Sequence, residues 1–125
     1  MKVKIDTKEK FHAITVYERS LSASMTEDLG DQLLKYLQND LKNVVLILKE
    51  LEYIDNEIAE KLVNVQQKFY EREASFVVCE LQPPVEKFLD DAGLLEMMNV
   101  TPTQSEAADI VQMEEVEREL FNDEE

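Results

Sequence analysis

The sequence predicts an α/β protein in which a mostly parallel sheet is covered by helices. Three observations predict it. The run Asn43-Val-Val-Leu-Ile-Leu48 is continuously apolar between charged neighbours, and Ser75-Phe-Val-Val-Cys79 repeats the pattern, as strands covered on both faces do. Segments with apolar residues at helical spacing lie between and after these runs. With 2 Gly, 3 Pro and 33% charged residues in 125, the chain is too poor in loop formers to be disordered or loop-dominated.

The elements follow in order. Val3 to Thr7 and Phe11 to Glu18 alternate like strands on either side of Lys8-Glu9-Lys10 and read as a hairpin. In the second strand His12, Ile14 and Val16 share one face while Phe11, Ala13, Thr15 and Tyr17 share the other, so it belongs inside the sheet. Thr26 is the expected N-cap of a helix running to about Asn39, with Glu27 and Asp28 in its first turn and Leu29, Leu33, Leu34, Leu37 and Leu41 on its apolar face. Asn43 to Leu48 should lie at the sheet centre.

After the connector Lys49 to Ile54, Asp55 stands where an N-cap belongs. Ile58, Ala59, Leu62, Val63, Gln66 and Phe69 line the helix that follows, up to Arg72. Ser75 to Cys79 is the next strand. Pro83-Pro84 opens a helix with Val85, Phe88, Leu89 and Ala92 as its buried stripe and Gly93 as its C′ stop. A short strand is expected over Met97 to Thr101. Ser105 or Thr103 then caps a last helix carrying Ala107, Ile110, Val111 and Leu120, which frays in the acidic tail. The order is β-β-α-β-α-β-α-β-α, and no linker, repeat or low-complexity block divides it. We place one domain over residues 1–113 and an acidic helix end and tail over 114–125.

Charge and composition narrow the function. A formal charge of −15 repels phosphate backbones and anionic head groups, which argues against nucleic acid and membrane as partners. Residues 114–125 hold seven acids and one base, Arg118, so the remainder is acidic as well. Cys79 is the only cysteine, which excludes an internal disulfide, and no apolar run reaches the length of a signal peptide or a bilayer span. A cytoplasmic protein is expected. One His and one Cys cannot build a His/Cys zinc site, and two glycines cannot build a Gly-rich phosphate cradle, so neither cofactor nor metal is expected. His12 and Cys79 read as a satisfied core histidine and an inert buried thiol. Glu114-Glu115 and Glu124-Glu125 read as solvated charge. An enzyme is the least supported class.

The order of elements, together with Val44-Val-Leu-Ile-Leu-Lys-Glu-Leu-Glu-Tyr-Ile-Asp-Asn-Glu-Ile58, resembles the STAS family, which includes bacterial anti-sigma factor antagonists. In that family an apolar strand leads through a short loop to an Asp-Ser-Ser-Gly motif at a helix start. Here Asp55 stands on the aspartate, Asn56 on the first serine, Glu57 on the second and Ile58 on the glycine. Asp90-Asp-Ala-Gly-Leu-Leu95 is similar to the family's helix end. The likeness covers about Phe11 to Val111. Ile47 stands where the family often has an aspartate, and Glu18-Arg19-Ser20 lacks its glycine.

The resemblance implies a STAS-like fold and a protein partner, such as a kinase-like anti-sigma factor. In relatives that kinase phosphorylates the second serine, adding about −1.5 to −2 charge at a helix start and changing the docking surface. Glu57 has no hydroxyl to modify. Either it supplies a permanent negative charge at this place, or it is only a favourable first-turn acid worth roughly 0.3–1 kcal/mol. The expected working surface is Glu52, Tyr53, Asp55, Asn56 and Glu57, with Ile58 packed inward and the Ser20 to Met25 loop alongside. The alternative reading is a non-switching structural subunit, either the STAS component of a transport complex or a homodimeric scaffold.

Overall fold

The computed structural model describes residues 1–123. A five-stranded sheet runs in the spatial order β1 (Val3–Thr7), β2 (His12–Val16), β3 (Val44–Ile47), β4 (Phe76–Cys79), β5 (Val100–Thr101). β1 pairs antiparallel with β2, Val3 opposite Val16 and Thr7 opposite His12, and every other pairing is parallel. β3 is the central strand, and all four of its residues are buried. β2 is likewise buried throughout, because two sheet faces and two neighbouring strands enclose it.

Strand order increases steadily from β2 to β5. Right-handed crossovers in a sheet wound in one direction put every connecting helix on the same face. α1 (Ala23–Leu34), α2 (Asn56–Glu71) and α3 (Pro83–Asp91) accordingly share a core with Ile14, Val16, Val44, Leu46, Phe76 and Val78. The other face would be left wet. α4 (Gln104–Asp123) crosses to cover it, burying Ala107 and Val111 against Phe11, Ala13, Val45, Ile47, Val77 and Cys79.

Five local expectations change. Ser22, not Thr26, caps α1: its side chain accepts from Met25 N at 3.2 Å, while the Thr26 hydroxyl donates to Ser22 O at 2.9 Å inside the helix. Glu27 and Asp28 therefore lie beyond the first turn. α1 tightens into a 3₁₀ turn over Lys35–Gln38 and ends there. On α2, Val65 is fully buried while Val63 and Gln66 are half-buried. Gln66 instead ties down the segment before β5, donating to Met97 O at 2.9 Å and accepting from Asn99 N at 3.2 Å. β5 shrinks to two residues, because Met97 N and Met98 N turn back to Leu94 O; Asn99 O still accepts from Val78 N at 2.8 Å, but only Val100 and Thr101 pair in register with β4. Ala92 is exposed at the end of α3, where Gly93 adopts φ +71 as the expected left-handed stop.

α4 departs most from its expected form. Thr103 caps it, accepting from Glu106 N at 3.1 Å, but Leu120 is 61% exposed because the helix runs past the sheet. Glu114 and Glu115 are not free solvated charge. Glu114 accepts from the Tyr70 hydroxyl at 2.7 Å and from the Ser75 hydroxyl at 2.6 Å, and Arg118 donates to Ser75 Oγ at 2.6 Å. Glu115 accepts from Asn43 Nδ2 at 2.6 Å and lies 3.6 Å from Lys10 Nζ. Burial, reinforced by the Glu114 carboxylate, pushes the Tyr70 phenol up from its ordinary range. Glu124 and Glu125 lie outside the described residues.

Candidate functional site

The Asp55 loop is built by the strand that precedes it and the helix that follows. β3 ends at Ile47, and Leu48, Leu51 and Ile54 anchor the connector in the three-helix core. Between these anchors Glu52 and Tyr53 project outward, Tyr53 being 58% exposed. Their amides are held from the neighbouring connection: Arg19 O accepts from Glu52 N at 2.8 Å and from Tyr53 N at 3.3 Å. The loops after β2 and β3 thus meet at the C-terminal end of the parallel strands, where the open ends of α/β sheets present their sites.

Asp55 is extended, at φ −126 and ψ 179, and its Oδ1 accepts from Ile58 N at 2.9 Å. That satisfies one of the unpaired amides at the start of α2. Asn56 and Glu57 occupy the first two helical positions with exposed side chains, and Ile58 turns inward at 2% exposure. Every residue expected at the working surface is brought to one place, and Asp55 alone among them is half-buried, as a cap must be. Asp55→Ala is expected to cost about 1 kcal/mol of stability, read as a lower urea midpoint, with Asp55→Ser recovering most of it.

The remaining chemistry-bearing groups lie elsewhere. His12 is 8% exposed within β2; its Nε2 donates to Leu41 O at 2.9 Å, which leaves Nδ1 to accept from the Thr7 hydroxyl at 2.9 Å in the neutral ring. Cys79 is fully buried, and burial, with a smaller contribution from the Glu80 charge, pushes its thiol up to about 12. Among the described residues no three His, Cys, Asp or Glu side chains are grouped to hold a metal ion, and no helix is long and apolar enough to cross a membrane. A recess of about 330 Å³ opens at the far end of the sheet, lined by Asn43, Arg72, Glu115 and Arg118 among others. Its groups Asn43, Glu115 and Arg118 are engaged in the contacts that dock α4. Sequence spacing missed that network, since it joins residues 32 to 72 positions apart.

A family model of the STAS domain matches residues 4–107. The chain belongs to the STAS family. Solved STAS structures overlay on it closely at low identity. An anti-sigma factor antagonist STAS protein from Planctomyces limnophilus is 18% identical, with a TM-score of 0.76 over 88% of this chain and 97% of that one. A serine-to-glutamate variant of RsbS from Moorella thermoacetica is 20% identical, with a TM-score of 0.74 over 90% and 96%. The anti-sigma factor antagonist SpoIIAA in its unphosphorylated form is 14% identical, with a TM-score of 0.72 over 89% and 96%. No curated protein matches the sequence. This STAS chain therefore has the family's fold across nearly its whole length, with Asp55 capping α2 at the loop where the resemblance places the family motif.

Proposed function

We propose that this STAS domain is a non-catalytic regulatory binding module of the cytoplasm, resembling anti-sigma factor antagonists but without phospho-control at Glu57. The observation that carries the reading is the exposed Glu57 carboxylate in the first turn of α2, next to the Asp55 cap and beside exposed Tyr53. Asn56 and Glu57 meet the partner, Asp55 orients the loop, and Glu52 and Tyr53 extend the contact. A carboxylate here is a constant charge where relatives alternate between a neutral hydroxyl and a phosphate, so the surface is held in one electrostatic state. The existence of a folded RsbS variant with glutamate in place of serine supports the compatibility of such a residue with the domain.

The partner of matching chemistry is a kinase-like anti-sigma factor. The test is calorimetric titration of the purified chain with the serine-kinase-type ATPases of its host. Glu57→Lys is expected to weaken binding about tenfold or more, as reversing a charge at a complementary interface does. Glu57→Ser restores a hydroxyl and is expected to become a phosphate acceptor with ATP. Unchanged affinity in both variants removes Glu57 from the contact, and stable association with transporter subunits instead of any such ATPase would replace the reading with that of a structural subunit.

A further inference from the structure

Beyond the residues matched by the family model, the second half of α4 carries apolar side chains that belong to neither hydrophobic cluster of the described residues. Met113 is 59% exposed, Val116 43%, Leu120 61% and Phe121 71%. Met113, Val116 and Leu120, at spacings of three and four, lie along one side of the helix over about two turns, and Phe121, seven residues past Glu114, stands at the helix end on the flank toward Glu114. The opposite side is fixed: Glu114 and Arg118 face Ser75, and Glu115 faces Asn43. The stripe is thus held outward by the polar contacts that dock the helix. Because those contacts fall at the N-terminal ends of β3 and β4, it lies at the end of the sheet opposite the Asp55 loop.

Its charge surroundings say what can cover it. The exposed ionisable residues of 109–121 are Asp109, Glu117 and Glu119, all acidic, and the one base of that stretch, Arg118, is directed at Ser75; Lys42 and Arg72 border the recess that Glu119 also lines, and Lys10 is paired with Glu115. A second copy of this chain would bring the same acids against these, and anionic head groups would be repelled likewise. We propose that this stripe is a second docking surface, for a basic amphipathic helix of another protein whose apolar face meets Met113, Val116, Leu120 and Phe121 and whose lysines or arginines meet the flanking acids. With a partner bound at the Asp55 loop, the domain would then join two proteins at opposite ends.

The probe is a synthetic helical peptide with leucines at heptad a and d positions and flanking lysines, titrated by fluorescence anisotropy. Micromolar binding to the wild type is expected. Leu120→Glu and Phe121→Glu, both at exposed positions, should each weaken it at least tenfold, although each adds a negative charge that would strengthen purely electrostatic attraction. Glu57→Lys, at the other end, should leave peptide binding unchanged, which separates this surface from the one proposed above. Absence of binding, equal or tighter binding to the glutamate variants, sedimentation of the wild type as a dimer abolished by Leu120→Glu, or association with anionic vesicles at the stripe would each overturn the proposal. Thermal melts of the variants should match the wild type; a variant that melts early is replaced by Leu120→Ser, read against the same peptide.

Discussion

Phe69→Ala is expected to destabilise the fold by about 3–5 kcal/mol, the range for removing a buried aromatic side chain without refilling its space. Phe69 is fully buried, and its ring lies 5.2 Å from that of Phe76 at a tilt of 50°. The pair joins the last turn of α2 to the first residue of β4. Its backbone carbonyl also accepts from Arg72 N at 3.0 Å and Ala74 N at 2.9 Å, closing the helix. Domains of this kind have net stabilities of about 5–15 kcal/mol, so this one change removes a large part of the margin. Urea denaturation should show a much lower midpoint with little change in slope. The Asp55 loop depends on α2 for its position, so partner affinity should fall with the folded fraction. A loss under about 1 kcal/mol would mean that the α2–β4 contact does not carry the core as described.

Alkylation of Cys79 by iodoacetamide is expected to be at least a thousandfold slower in the native protein than in the denatured chain. A thiol raised from 9.0 to about 12 has roughly a thousandfold less thiolate at pH 8, and full burial further denies the reagent access. The same shift has a stability consequence with a definite sign. The folded state holds the neutral thiol more firmly than the unfolded chain does, so its effect is silent below about pH 9. As pH rises from there to about 12, the unfolded chain loses its proton first and stability declines, by up to about 1.4 kcal/mol per pH unit. Cys79→Ala should flatten that part of the profile relative to wild type. Native alkylation at the denatured rate, or identical alkaline profiles in both proteins, would contradict the burial of this side chain.

What was legible in the sequence was written in short-range patterns. The continuous apolar run at Val44 to Ile47 needs two covered faces wherever it sits, and the structure places it at the sheet centre. Asp55 as the cap of α2 follows from the chemistry of one side chain and an amide three residues on. The sequence reading places the cap of α1 at Thr26 alone, whereas Ser22, whose hydroxyl has the same capping chemistry, takes that place. The buried Leu21 anchors the chain so that Ser22 meets the helix start and Thr26 falls inside it. Ala92 and Leu120 fit helical stripes in sequence, yet the body of the protein ends before it reaches them. Met97 fitted a strand, yet its amide turns back to Leu94 O instead of pairing with β4.

The site divides in the same way. That Glu52, Tyr53, Asp55, Asn56 and Glu57 lie together needed only a strand, a short loop and a cap. That the loop after β2 clasps theirs through Arg19 O needed the sheet. Asn43 and Ser75 looked like the polar ends of two strands. They prove to be the anchor points of α4, because parallel pairing sets their strand ends side by side under the returning helix.

Periodicity, capping chemistry and composition, each decided within a few neighbouring residues, were enough to determine the element order, the α/β class and the place of the carboxylate at the start of α2. Tertiary structure alone decided which acids are bound and which are free, where β5 and α1 begin, and that the end of α4 presents Met113, Val116, Leu120 and Phe121 to solvent. The physical reason is distance along the chain: whether a side chain is buried depends on what the fold brings against it, and those partners lie tens of residues away.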